Sequence, residues 1–166
     1  MKYKVLVAPN DGSGVQKEFC VDLYENSDEF VATVTESLQT NDWFIDHWPD
    51  ELDPYVKYHK DGRQNYIDTI LWEALDITGS VLDEPDLNVF HKWMKEFTMN
   101  LDDAKELFSK SYEGKYSDRI EYAENYMIRN HSFDSEIWYF IDFKAYAAWL
   151  FDHVVIWIDG HVFKID

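Results

Sequence analysis

A single cysteine, Cys20, leaves the chain unable to build an internal disulfide framework and fits a reducing compartment. It reads as an ordinary strand residue. Bases are the second shortage. Fifteen Lys and Arg stand against 33 Asp and Glu, a formal net charge of −18. Such a chain should avoid nucleic acid and membrane surfaces and be drawn to basic proteins. The shortage is concentrated. Between Lys17 and Lys57 there is no base, yet eleven acids occur; between Arg63 and Lys92 there are six acids and no base. Charges serving solubility alone are more often interspersed with the opposite sign. Apolar runs of signal-peptide or transmembrane length are also missing, so the expected location is the cytoplasm.

Signatures of chemistry are scarce as well. The six histidines form neither H-x-x-x-H nor H-E-x-x-H, and no CxxC exists. His153, Asp159 and His161 flank a terminal hairpin, where residues commonly just face solvent. Asp50, Glu51 and Asp53 lack the EF-hand spacing and its glycine. Gly12-Ser13-Gly14 is not followed by the Gly-Lys-Ser/Thr of a phosphate loop, and G-x-S-x-G is absent. Paired carboxylates are everywhere, but none is singled out as an acid/base pair. The expectation is a protein without catalytic, cofactor-binding or metal-binding residues: not an enzyme.

What is present is a core. Hydrophobic residues make up 46% and aromatics 17%, which excludes a disordered acidic tail. Tyr3–Ala8 and Val15–Tyr24 read as strands around a Pro9–Gly14 turn, with Phe19, Val21 and Leu23 on one side. Ser27 caps a helix to about Gln39, with Phe30, Val31, Val34 and Leu38 inward. Trp43–Ile45 is a third strand, followed by an acidic loop between Pro49 and Pro54. Asn65 opens a helix ending near Gly79, and Asp83-Glu84-Pro85 opens another, with Leu87, Phe90, Trp93 or Met94, and Phe97 buried.

Asn100–Tyr126 predicts two short helices meeting at a Tyr112–Tyr116 joint. Asn100 and Ser117 are the caps, and Gly114 is the left-handed C-terminal residue. The second inner face is Ile120, Ala123, Tyr126 and Met127. Arg129–Ser135 breaks the pattern, Trp138–Ile141 packs on the helices, and Asp142 caps a last helix. Asp159-Gly160 closes a hairpin. One face of that hairpin, Val155, Trp157, Val162 and Lys164, is too apolar for water and should meet a helix or a second subunit. The expected fold is α+β: an elongated chain of three small consecutive domains. These are an N-terminal α+β domain (1–60), a helical middle domain (61–101) and a C-terminal α+β domain with a terminal hairpin (102–166).

The charge remains to be accounted for. B-DNA carries about one charge per 1.7 Å of axis, on the order of one per 100 Å² of outer surface. A compact protein of this size exposes roughly 8,600 Å², so its carboxylates average about one per 260 Å². Uniform spreading would copy DNA poorly; segregation onto one ribbon would copy it fairly.

The middle stretch carries a resemblance. Ala104, Phe108, Tyr112, Gly114 and Tyr116, then Tyr122-Ala123-Glu124-Asn125-Tyr126, look like the central pattern of the ArdA antirestriction proteins. Trp43-Phe44-Ile45-Asp46 resembles that family's first-domain strand and acidic step. Asp142-Phe143-Lys144-Ala145-Tyr146 and Asp159-Gly160-His161-Val162-Phe163 are similar to its terminal segment. After Tyr146 the family's Arg-Asp-Leu and Ser/Asn-Gly turn is replaced by Ala147-Ala148-Trp149-Leu150-Phe151. The resemblance implies a curved, three-domain acidic dimer that imitates bent duplex DNA. Such proteins occupy the DNA groove of Type I restriction–modification enzymes in the bacterial host cell, and mobile genetic elements carry them.

The expected partner is therefore the methyltransferase core of a Type I enzyme. The expected phosphate surrogates are Asp42, Asp46, Asp50, Glu51, Asp53, Asp68, Glu73, Asp76, Asp83, Glu84, Asp86, Glu113, Asp118, Glu121 and Glu124. Trp149, Val155, Trp157 and Val162 are the candidate contacts of a homodimer. Two alternatives stay open: an acidic mimic of another nucleic-acid-handling defence system, and a small carboxylate- or calcium-dependent binding protein.

Overall fold

The computed structural model describes residues 2–58, 65–131 and 137–165. Small antiparallel sheets and helices make an α+β fold. The chain divides once into compact units, Met1–Asn88 and Val89–Asp166. The division falls between Asn88 and Val89, not at the expected 101/102 boundary. The 60/61 boundary, with Lys60-Asp61-Gly62, lies outside the described residues.

In the first unit β1 (Lys4–Pro9) is the centre of a sheet of order β2-β1-β3, with β2 (Lys17–Cys20) and β3 (Trp43–His47) both antiparallel to it. Val5 lies opposite Phe19, and Val7 opposite Ile45, so one face collects apolar side chains. Helix α1 (Ser27–Leu38) covers this face through Phe30 and Val34. The Phe30 ring meets Phe19, Tyr24 and Trp43 edge-on at 5.3–6.2 Å. The expected second strand is shorter than read. It stops at Cys20, and Val21–Leu23 is a 3₁₀ turn that leaves Leu23 exposed. Val31 is exposed too. The cap of α1 is Asn26 rather than Ser27, its side chain accepting from Glu29 N–H.

The acidic loop is a 3₁₀ helix, Asp50–Tyr55, seated by Leu52 and Tyr55. Asn65 does not open a helix. Asn65–Ile67 is a strand, β5, paired with β4 (Val56–Tyr58). The Asn65 amide is buried against β3. Its Oδ1 accepts from Ile45 N–H at 2.5 Å and its Nδ2 donates to Ile45 C=O at 2.7 Å. One side chain thereby completes the hydrogen bonds of an edge-strand residue. Helix α2 (Ile70–Gly79) begins later than read and buries Leu71, Trp72, Ala74, Leu75 and Thr78. Helix α3 (Leu87–Glu96) starts after the Asp83-Glu84-Pro85 signal. Its first N–H, on Leu87, donates to the buried Tyr3 hydroxyl at 2.7 Å.

The second unit is a three-stranded sheet with aromatic and aliphatic packing on its two faces. Helix α4 (Leu101–Ser111) has Asn100 as its cap, as expected. Tyr112–Lys115 is not a joint between facing helices. It is a strand, β6, at the edge of a sheet of order β6-β8-β7. The pairing slips between Tyr112 and Gly114, so Glu113 is the extra residue of a bulge and Gly114 takes φ +128. A Cβ on Gly114 would lie 3.2 Å from the Tyr116 ring. Helix α5 (Arg119–Asn130) is capped by Asp118, which accepts from Ile120 and Glu121 N–H. It runs past Arg129, and the rest of the expected break, 132–135, lies outside the described residues. Its buried residues are Tyr122, Ala123 and Met127; Ile120 is exposed.

Helix α6 (Phe143–His153), capped by Asp142, packs on α5. The Asp159-Gly160 turn joins β7 (Val155–Ile158) to β8 (His161–Lys164) in the expected register, Ile158 opposite His161 and Trp157 opposite Val162. Asp159 and Gly160 both take positive φ, as a tight hairpin turn requires. The apolar hairpin face meets helices of its own chain: Val155 and Val162 cluster with Tyr122, Ala123, Ala147 and Leu150. On the other face Phe163 packs against Phe108 at 5.3 Å and Trp93 at 6.0 Å. Trp138–Ile141 departs from its expected burial. Trp138 touches Phe143 at 4.6 Å, but Tyr139 and Phe140 are 87% and 88% exposed.

Candidate acidic interaction surface

Charge is divided unequally. The first unit holds 19 acids against 6 bases, a net of −13; the second holds 14 against 9, a net of −5. Of the eleven acids between Lys17 and Lys57, nine are exposed, and Asp22 and Glu51 are half-buried. They are held out by short, well-anchored elements. Asp42 and Asp46 sit at either end of β3, with Asn10 donating to the first and Gln16 to the second. Asp50, Glu51 and Asp53 ride the 3₁₀ helix, and the Trp48 indole donates to Asp53 at 3.4 Å. Glu73 and Asp76 lie on the outer side of α2, and Asp83 and Glu84 are exposed before α3.

Four described lysines serve this unit, and all are tied down. Lys2 pairs with Asp86 at 2.9 Å, Lys4 with Glu18 at 2.8 Å and Lys57 with Asp68 at 3.9 Å; Lys17 donates to the Ser37 carbonyl and hydroxyl. Asp68 and Asp86 are consequently half-buried and partly neutralised, unlike the open acids around them. Glu25, Asp28, Glu29 and Glu36, in and just before α1, are exposed as well. All four lie in the base-free window between Lys17 and Lys57 but are not among the expected phosphate surrogates.

The second unit changes one expectation outright. Glu113 does not point outward. Its side chain is only 10% exposed and is gripped by Lys164 Nζ at 2.6 Å and Arg129 Nη2 at 3.1 Å. The bulge turns it inward, so it ties β6 to β8 and α5 instead of presenting free charge. Glu124 is half-buried. Asp118 and Glu121 are exposed but act locally at the start of α5. Hydrogen bonds from the Ser117 hydroxyl and N–H hold the Glu121 carboxyl below its ordinary value. The Ser13 hydroxyl and N–H do the same for Asp11.

The candidate dimer contacts separate. Val155 and Val162 are fully buried in their own unit and are not available to a second subunit. Trp157 is half-buried and meets Phe151 edge-on. Trp149 is exposed, its ring stacked between Tyr146 at 6.2 Å and His153 at 5.5 Å.

His153, Asp159 and His161 are engaged apart from one another. His153 Nδ1 lies 2.9 Å from Trp149 C=O, Asp159 pairs with Lys92 at 2.6 Å, and His161 Nδ1 lies 3.0 Å from the Tyr112 hydroxyl. Among the described residues no group of three His, Cys, Asp or Glu side chains converges as a metal site. Among them, too, no helix is long and apolar enough to cross a membrane. No family model, curated protein or solved structure matches the chain.

Proposed function

We propose that the chain is an acidic decoy of duplex DNA, a stoichiometric inhibitor that enters the DNA groove of a bacterial Type I restriction–modification enzyme in the cytoplasm. The observation that carries this reading is the concentration of charge. The first unit has a net of −13, its acids are mostly exposed, and its described lysines are occupied. A groove built to neutralise phosphates with Lys and Arg offers such a surface many weak ion pairs in parallel. The resemblance of the Ala104–Tyr126 stretch to ArdA proteins directs the choice of target. The contacting acids are Asp42, Asp46, Asp50, Glu51, Asp53, Glu73, Asp76, Asp83 and Glu84, together with Glu25, Asp28, Glu29 and Glu36.

The test is DNA cleavage by a purified Type I enzyme, titrated with this protein at several salt concentrations. Inhibition should saturate near one copy per DNA groove and weaken as salt rises. Replacing Asp42, Asp46, Asp50 and Asp53 together by Asn should cost at least tenfold in inhibition, and each alone much less. Absence of binding to the methyltransferase core at low salt refutes this target. Competition with duplex DNA and with guide RNA would then separate restriction enzymes from other nucleic-acid-handling defence enzymes. A thermal melt with micromolar calcium checks the carboxylate-binding alternative.

A further inference from the structure

Beside α1 lies an open groove of about 600 Å³, within the range of specific binding sites. Asp28, Val31 and Thr35 form one wall; spacings of three and four put them on a single stripe of the helix, next to the Phe30–Val34 stripe that faces the sheet. Asn41 just before β3, Trp43 at its start and Tyr66 on β5 line it as well, with Ala32 and Asn65. The materials of this groove are mixed. Val31 and Tyr66 are 43% and 46% exposed, an apolar and aromatic lining open to solvent. The Trp43 indole is fixed by donating Nε1–H to Thr35 Oγ1 at 3.2 Å. Asp28 has no ion pair among the described residues, and the Asn41 amide has no hydrogen bond there. No Lys or Arg among the described residues lines the groove.

We propose that this groove is a subsite for an arginine side chain of a basic protein partner. The guanidinium is flat, weakly hydrated and carries five donors in a fixed fork, so it stacks on aromatic faces while bonding to a carboxylate. Tyr66 supplies the exposed stacking surface, with the buried Trp43 indole forming the floor, Val31 receives the aliphatic stem, and Asp28 with the Asn41 carbonyl receives the donors. A lysine ammonium is a compact, strongly hydrated point charge. It gains little from the apolar lining and is served equally well by any exposed acid of the unit. Charge favours the same occupant, because the unit around the groove has a net of −13. The inference rests on the reading above that the partner is a basic DNA-binding surface, and it assigns which of that surface's side chains is recognised here.

The test uses the full chain and two labelled probes, hexa-arginine and hexa-lysine peptides, at equal ionic strength. Hexa-arginine should bind about tenfold tighter and shift the Trp43 indole N–H resonance, assigned through Trp43→Phe. Val31→Arg, which fills the groove from within, and Tyr66→Ala should each bring the arginine-to-lysine ratio close to one. Both positions are exposed, and the amide spectrum reports whether the variants keep the fold. Equal affinity for the two peptides, or a ratio unchanged in both variants, overturns the subsite. That result leaves acidic mimicry standing, since mimicry needs charge alone. An arginine preference that is lost in Val31→Arg sustains the subsite even if no restriction enzyme is inhibited.

Discussion

Glu113→Gln separates fold from function in this molecule. The wild-type carboxylate makes two charged contacts, to Lys164 and Arg129, from a position only 10% exposed. Charge-assisted hydrogen bonds contribute about 1.5–3 kcal/mol and neutral ones about 0.5–1.5 kcal/mol. Gln keeps one acceptor oxygen and sets an N–H donor where the other oxygen stood, so one contact is lost and the other weakened, at about 2 kcal/mol. Arg129 and Lys164 are roughly half exposed and recover hydration when released, which keeps the figure from rising further. Amide exchange of the β8 strand is the direct assay. A loss of about 2 kcal/mol speeds exchange through opening of this unit about thirtyfold. In thermal terms, a unit of 78 residues should melt roughly 8–16 °C lower. The same change of charge at Asp53, exposed on the 3₁₀ helix, should move stability by less than about 0.5 kcal/mol. Inhibition by Glu113→Gln, measured below its melting temperature, should stay within twofold of wild type. Unchanged β8 exchange would refute the buttress role. Inhibition lost with exchange unchanged would place Glu113 on the partner-facing surface.

Three further expectations follow from the same geometry. Asn65→Ala strands the N–H and C=O of Ile45, at about 1–3 kcal/mol each, so urea unfolding should show a loss of roughly 2–5 kcal/mol with the Ile45 amide newly exchangeable. Tyr3→Phe removes the oxygen that accepts the Leu87 N–H, and should cost about 1–3 kcal/mol with faster exchange at Leu87. The lowered pKa of Glu121 gives the α5 start a stability present above the ordinary carboxylate pKa and lost as pH falls through the folded value. A carboxyl NMR titration should place its midpoint below that of an unstructured Glu, and Ser117→Ala should raise it.

Local signals were legible in the sequence where local chemistry decides. Asp159-Gly160 set the hairpin and its register, and Asn100 and Asp142 capped the helices expected of them. Elements whose cause is distant were misread. Tyr112–Lys115 resembles a helix–helix joint because Gly114 looks like a C-terminal cap, yet the strand is made by partners at His161–Phe163. Asn65 looks like a cap because its amide is a good one, and the amide is instead used on Ile45. Gly114 is the one residue near Glu113 that marks a bulge, and it does so only once Tyr112–Lys115 is known to be a strand. The exposure of most acids in the base-free run between Lys17 and Lys57 needs no knowledge of the strand pairing, whereas the pairing of Asp68, Asp86 and Glu113 does. The groove beside α1 was not legible: it needs Tyr66 of β5 next to a helix almost forty residues earlier.

The order β6-β8-β7 has a consequence for when the second unit comes into being. The central strand β8 follows every other element of its sheet, so β6 has no neighbour until residues almost fifty positions downstream leave the ribosome. Helices α5 and α6 can pair early, because their contacts are short-range. Until β8 arrives, Trp93, Phe108 and Tyr112 lack the Phe163 ring they close upon, and Val155 lacks Val162. The nascent chain therefore carries an uncovered aromatic surface from the appearance of Trp93 until Phe163 is made, alongside an already strongly acidic first half. Like charge on that half opposes association between such unfinished copies.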